Sequence, residues 1–186
     1  MRSISMCLAL MAALVSPALA HTGVGQASSF ASGIAHPLHG ADHILAMVAI
    51  GLWAVPAGGR AIWAWPAAFI AMMLTGFAAA ASGLEIPFVE PAIWLSIIVL
   101  GLLVALAVKA PVPLGAAIAG LFAFFHGHAH GVEAAAASPI PYAAGFSLAT
   151  AALHAIGIAL GLFAKTAIGK IALADVGETE SQRCSR

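Results

Sequence analysis

The sequence predicts an all-α membrane protein: a polytopic bundle of about five transmembrane helices behind a cleavable signal peptide. Three observations lead there. Of the 186 residues, 62% are hydrophobic and 8% are charged, whereas a soluble domain carries about 25% charged residues. The apolar residues fall into long runs separated by short Gly/Pro-containing connections. After Arg2, the basic residues are confined to alternate connections and the carboxyl tail. Disorder and an ordinary cytosolic enzyme are excluded by this composition. A net charge of zero gives no reason to expect nucleic acid as a partner. Cys7 and Cys184 stand near opposite ends, so no disulfide framework can be read from them.

Residues 1–20, MRSISMCLALMAALVSPALA, have a short amino-terminal region with Arg2, an apolar run from Met6 to Val15, and small residues ending in Ala18-Leu19-Ala20. That is the signal-peptide pattern with an A-x-A cleavage site. The apolar run is too short for a span, which needs roughly 20 residues. Cleavage after Ala20 is expected to leave His21 as the mature terminus, outside the cytoplasmic membrane.

Residues 21–164 then form the expected transmembrane bundle, with apolar stretches at approximately 34–55, 61–82, 91–108, 113–131 and 141–164. Each approaches the length needed to cross a hydrocarbon core of about 30 Å. Helices are the expected form, because barrel strands alternate at period two in segments of about 10 residues. With the mature terminus outside, Arg60, Lys109, Lys165, Lys170, Arg183 and Arg186 all face the cytoplasm, and the external connections carry Glu85 and Glu90. This is the positive-inside pattern expected of a bacterial inner-membrane protein with its carboxyl terminus in the cytoplasm. Residues 165–186 read as a polar, partly disordered cytoplasmic tail. Trp53, Trp63 and Trp65 flank a cytoplasmic connection and read as interfacial anchors, while Met47, Met72 and Met73 read as core filling. The Ala/Gly-rich spans favour close helix packing, within one chain or in a homo-oligomer.

The chain holds eight histidines, and ionisable residues inside spans cost a few kcal/mol, which marks them as functional candidates. In HPLHGADH, a straight helix would put His36, His39 and His43 on one face, with Asp42 at its edge. His39 and His43 would be close enough to chelate one ion. His36 and His43 would be about 10 Å apart along the axis, with Pro37 and Gly40 able to distort the turn. Pro37 would suit a first helical turn. In FHGHAHGVE, His126, His130 and Glu133 point one way and His128 the other. His154, in the last span, follows Ser147 and Thr150 by two turns and one. Imidazole and carboxylate donors suit borderline divalent ions such as Ni²⁺, Co²⁺ or Zn²⁺. The candidate metal ligands are therefore His36, Asp42, His43, His126, His130 and Glu133, with His39, His154, His21 and His128 as weaker candidates.

HPLHGADHILAMVAIGLWA resembles the HP-x-x-G-x-DH signature of the HupE/UreJ family of nickel/cobalt permeases. FHGHAHGVE is similar to that family's second motif, FHG-x-AHG-x-E. The resemblance extends over roughly residues 20–164 and implies secondary transport of nickel or cobalt. It carries over His36, Asp42, His43, His126, His130 and Glu133 as motif residues. The chain departs from the pattern at His39, an added ligand-type residue. It departs again at Ala135, where a proline is common, and in turning polar after Ala164, where the family usually continues into a further hydrophobic segment.

Transport rather than catalysis is the expectation, with the divalent ion and the bilayer as partners and no resident cofactor. Two alternatives use the same histidines. A membrane haem protein needs one imidazole on each of two helices and has no use for Asp42 or Glu133. A metal-dependent hydrolase needs a base such as Glu133 near water, and the sequence lacks the H-E-x-x-H pattern of zinc peptidases.

Overall fold

The computed structural model describes residues 29–134 and 139–184, with side chains over 29–132 and 139–167. The signal-peptide reading, His21, Ala135 and the Glu133 side chain lie outside the described residues. Everything described is helical or in short connections, and no strand occurs among these residues. The helices are α1 (Phe30–His39), α2 (Ala41–Ala57), α3 (Ala61–Ala81), α4 (Val89–Ala105), α5 (Val112–Ala134) and α6 (Pro139–Cys184).

Helix α1 starts at a reciprocal cap: the Ser29 hydroxyl accepts from the Ser32 N–H at 3.1 Å, and the Ser32 hydroxyl accepts from the Ser29 N–H at 3.1 Å. These bonds satisfy two of the amide groups that a helix start leaves unpaired. Pro37 therefore sits inside α1 near its end rather than in a first turn. The first apolar stretch is not one straight helix. It breaks at Gly40, where the backbone is extended (φ −97°, ψ 115°), and α1 and α2 meet at 86°. A side chain at position 40 would meet Asp42 Oδ1 at 2.7 Å and His43 Nδ1 at 2.9 Å. Glycine is what lets those two side chains fold back over the break.

Helices α3, α5 and the Pro139–Ala167 part of α6 are long and apolar enough to cross a membrane, and α1 with α2 makes a bent fourth candidate. Helix α4 is apolar but has 17 residues, about 25 Å of helix at 1.5 Å per residue. Against the five spans expected from the sequence, the described residues hold three helices long enough to cross, four with the bent pair, and α4 is shorter than a span. Helix α6 continues through the residues read as a partly disordered tail, as far as Cys184. Beyond Pro141 that segment contains no proline to break it and is rich in Ala, the best helix former.

Two parallel helix pairs make the frame. In α3 and α5, a Cβ at Gly127 would strike the Met73 carbonyl, and one at Gly131 would strike the Phe77 carbonyl. In α1–α2 against α6, Gly33 abuts the Tyr142 carbonyl, Gly51 the His154 carbonyl and Gly157 the Val48 carbonyl. Residue numbers rise together in both pairs, so the paired helices run in the same direction, as alternate spans must. Small residues at the crossings let backbones touch, which is how helices associate where lipid removes the usual hydrophobic gain. Helix α2 is central, packed against α3, α4 and α6. Trp53 and Trp65, expected as interfacial anchors, are instead fully buried, while Trp63 is exposed with Arg60 over its ring.

Candidate metal centre

The break at Gly40 decides which histidines meet. His36 lies in the last turn of α1 and His43 in the first turn of α2, and the bend brings their ring centroids to 6.0 Å. On α5, His130 lies 4.8 Å from His36 and 4.6 Å from His43, centroid to centroid. One ligand nitrogen from each of His36, His43 and His130 falls within 4.8 Å of the other two. Donors around a common ion at about 2.0–2.1 Å stand about 3–4 Å apart. Small side-chain movements therefore suffice to close these three on a cation. His43 and His130 are fully buried and His36 is half-buried.

The surroundings prepare these rings for that use. Asp42, 5% exposed, places Oδ1 3.0 Å from His43 Nδ1. A carboxylate there favours the proton on Nδ1 and leaves Nε2 as the ligand atom, the usual outer-shell arrangement for a metal-binding histidine. Asp42 also lies in the first turn of α2, where the helix dipole favours negative charge. Phe146 stacks on His130 at 4.9 Å, and Tyr142 faces both His36 and His130.

His126, one turn before His130 and fully buried, lies 5.1 Å from His43. Its Nε2 is 3.0 Å from Ser96 Oγ, while the Ser96 hydroxyl donates to the Ile93 carbonyl at 2.6 Å. With its one proton committed, Ser96 accepts from His126 Nε2–H, so His126 carries its lone pair on Nδ1. Sequence reasoning missed Ser96. Its signal was present, since Ser96 is the lone hydroxyl of the apolar stretch at 91–108.

The other candidates stand apart. His39 is exposed, with Nδ1 donating to the Ala35 carbonyl at 2.7 Å, so it does not join His43. His128 faces away from the cluster and donates Nε2–H to the Leu84 carbonyl at 2.7 Å, beside a cavity lined by Glu85 and Glu90. His154 is buried deeper in the bundle, against Phe69. For Glu133, the backbone lies in α5.

The arrangement is that of a polytopic helical membrane protein with three convergent imidazoles, drawn from two separate motifs, at one end of the bundle. The chain belongs to the HupE / UreJ protein family, whose model matches residues 8–178. It is 45% identical over 175 residues to Protein HupE of Rhizobium leguminosarum bv. viciae, a match covering 88% of this chain and 92% of that protein. No solved structure matches the chain.

Proposed function

We propose that this protein is a permease for a divalent transition-metal ion, nickel or cobalt, in the bacterial cytoplasmic membrane. The ion is captured from outside by His36, His43 and His130, with Asp42 and His126 in support and Glu133 carried over from the second motif. The observation that carries this reading is the convergence of three buried or half-buried imidazole nitrogens, within 4.8 Å of one another, from segments far apart in sequence. Packing alone gives no reason to gather three such rings in an apolar bundle, where each polar group costs free energy to bury.

Orientation follows from charge. The histidine cluster gathers the end of α1, the start of α2 and the end of α5, whereas Arg60 and Lys109 sit in the connections at the opposite end. The positive-inside rule puts those connections in the cytoplasm and the cluster outside. Neutral imidazole binds borderline divalent ions well and exchanges them without redox chemistry. An incomplete, moderately tight site suits a carrier, which must release what it binds.

Radioactive nickel uptake by cells expressing the full chain tests the reading. His43→Ala and His130→Ala are each expected to reduce uptake to background at unchanged membrane abundance. Wild-type rates in both variants would overturn it. Competition by excess Co²⁺ or Zn²⁺ ranks the ions.

A further inference from the structure

The capture site occupies one end of the bundle and leaves a buried imidazole in the middle unused. His154, on α6, is 1% exposed. Its Nδ1 lies 2.7 Å from the Met47 carbonyl oxygen of α2. A carbonyl can only accept, so Nδ1 holds the proton and Nε2 of the neutral ring holds the lone pair. That Nε2 is buried and has no hydrogen-bond partner among the described residues. The bond to Met47 explains a donor at this position and leaves the second nitrogen unexplained.

Position supplies the rest. His126 of the outer group lies 6.0 Å from the Phe69 ring, and Phe69 lies 5.0 Å from His154, edge to face. Phe69 is itself fully buried on α3. One turn before His154, Thr150 is fully buried, with its hydroxyl directed at Met73 Sδ at 3.7 Å. A file of side chains therefore runs from the outer imidazoles through His126 and Phe69 to an imidazole nitrogen with no hydrogen-bond partner among the described residues.

We propose that His154 Nε2 is an inner station for the transported ion, a ligand taken up after the ion leaves the outer histidines and passes Phe69. The station is borderline in chemistry, one imidazole with a hydroxyl and a thioether nearby, and so suits the same divalent nickel or cobalt ion. A single fixed ligand holds an ion briefly, which is what an intermediate stop on a path requires. Met47 acts here as the positioning group, fixing the tautomer and aiming the ring, as outer-shell carbonyls do for metal-bound histidines. This inference rests on the permease reading above.

The test separates the two nitrogens. In His154→Asn the side-chain amide can still donate to the Met47 carbonyl, but nothing replaces Nε2. Nickel binding to the purified full-length protein, measured by calorimetry, is expected to stay within twofold of wild type, because the outer site is intact. Maximal nickel uptake in cells is expected to fall at least tenfold, with the half-saturating concentration little changed. Uptake at the wild-type rate in His154→Asn would overturn the proposal and leave His154 as a clamp between α2 and α6. Should the Asn variant not reach the membrane, His154→Ser, which has no nitrogen at the Nε2 position, is the second variant: the same tenfold fall is expected, and uptake at the wild-type rate would again overturn the proposal. Failure of the permease reading has a different signature: wild-type cells would take up no more nickel than cells expressing His43→Ala.

Discussion

The two ends of this bundle are both built from buried nitrogen heterocycles, yet they do opposite things with them. At the end carrying Arg60 and Lys109, Trp53 and Trp65 pack 4.2 Å apart. Their Nε1–H groups donate to the carbonyls of Val108 at 2.7 Å and Val112 at 3.0 Å, at the α4–α5 turn. An indole has one polar atom and it only donates, so once bonded it has nothing further to offer. That end is sealed. At the other end each imidazole has two nitrogens. Asp42 orients His43, and Ser96 orients His126, through one nitrogen each. An imidazole, unlike an indole, carries a second nitrogen of a type that can serve as a metal ligand. Burial alone does not distinguish a plug from a binding site; the chemistry of the second ring atom does, since an imidazole nitrogen can ligate a cation and an indole cannot.

The largest effect expected from that contrast is at Ser96. In Ser96→Ala the acceptor for His126 Nε2–H is gone, and the ring is free to take the other tautomer. Loss of such an outer-shell partner typically costs 10–100-fold in metal affinity. Nickel titration of the purified variant is expected to show a loss of at least tenfold, with uptake reduced in parallel. Affinity equal to wild type would mean that His126 is a packing residue and that the ligand set stops at His36, His43 and His130.

At the sealed end the expectation reverses. Trp53→Phe removes one N–H and leaves the Val108 carbonyl without its partner, which costs about 1–2 kcal/mol of stability. Thermal unfolding in detergent should register that loss, while nickel affinity should not move. A change in affinity of tenfold or more would show that the two ends are coupled and that the Trp pair belongs to a gate.

Much of this architecture can be read from the chain itself, and the parts that cannot share a cause. Apolar runs, basic connections and the two histidine motifs announce a membrane bundle with its chemistry at one end. Which face of a span meets protein and which meets lipid is far harder to read, because both environments are apolar. Trp53 and Trp63 look alike in the sequence, yet one is fully buried and the other is 58% exposed. Ser96 was overlooked for the same reason: a single hydroxyl in a span matters only once its neighbour on another helix is known. The bend at Gly40 was half visible: Pro37 and Gly40 mark a distortion, while the apolar stretch read over 34–55 runs across both. The consequence falls on His39, whose role depends wholly on whether the chain bends there.

His39 therefore gives the smallest expected effect and the sharpest check on the geometry. On a straight helix His39 and His43 would chelate an ion as neighbours one turn apart, and His36 would be too distant to help. The 86° bend reverses that choice by bringing His36 to His43 and leaving His39 exposed. Its Nδ1–H is spent on the Ala35 carbonyl in the last turn of α1, a local bond that helps close the helix end. His39→Ala is accordingly expected to leave nickel uptake within twofold of wild type, while His36→Ala abolishes it. If the pattern came out the other way, with His39 required and His36 dispensable, the ion would be held by an unbent helix. Capture would then rest on the i, i+4 pair rather than on the meeting of α1, α2 and α5.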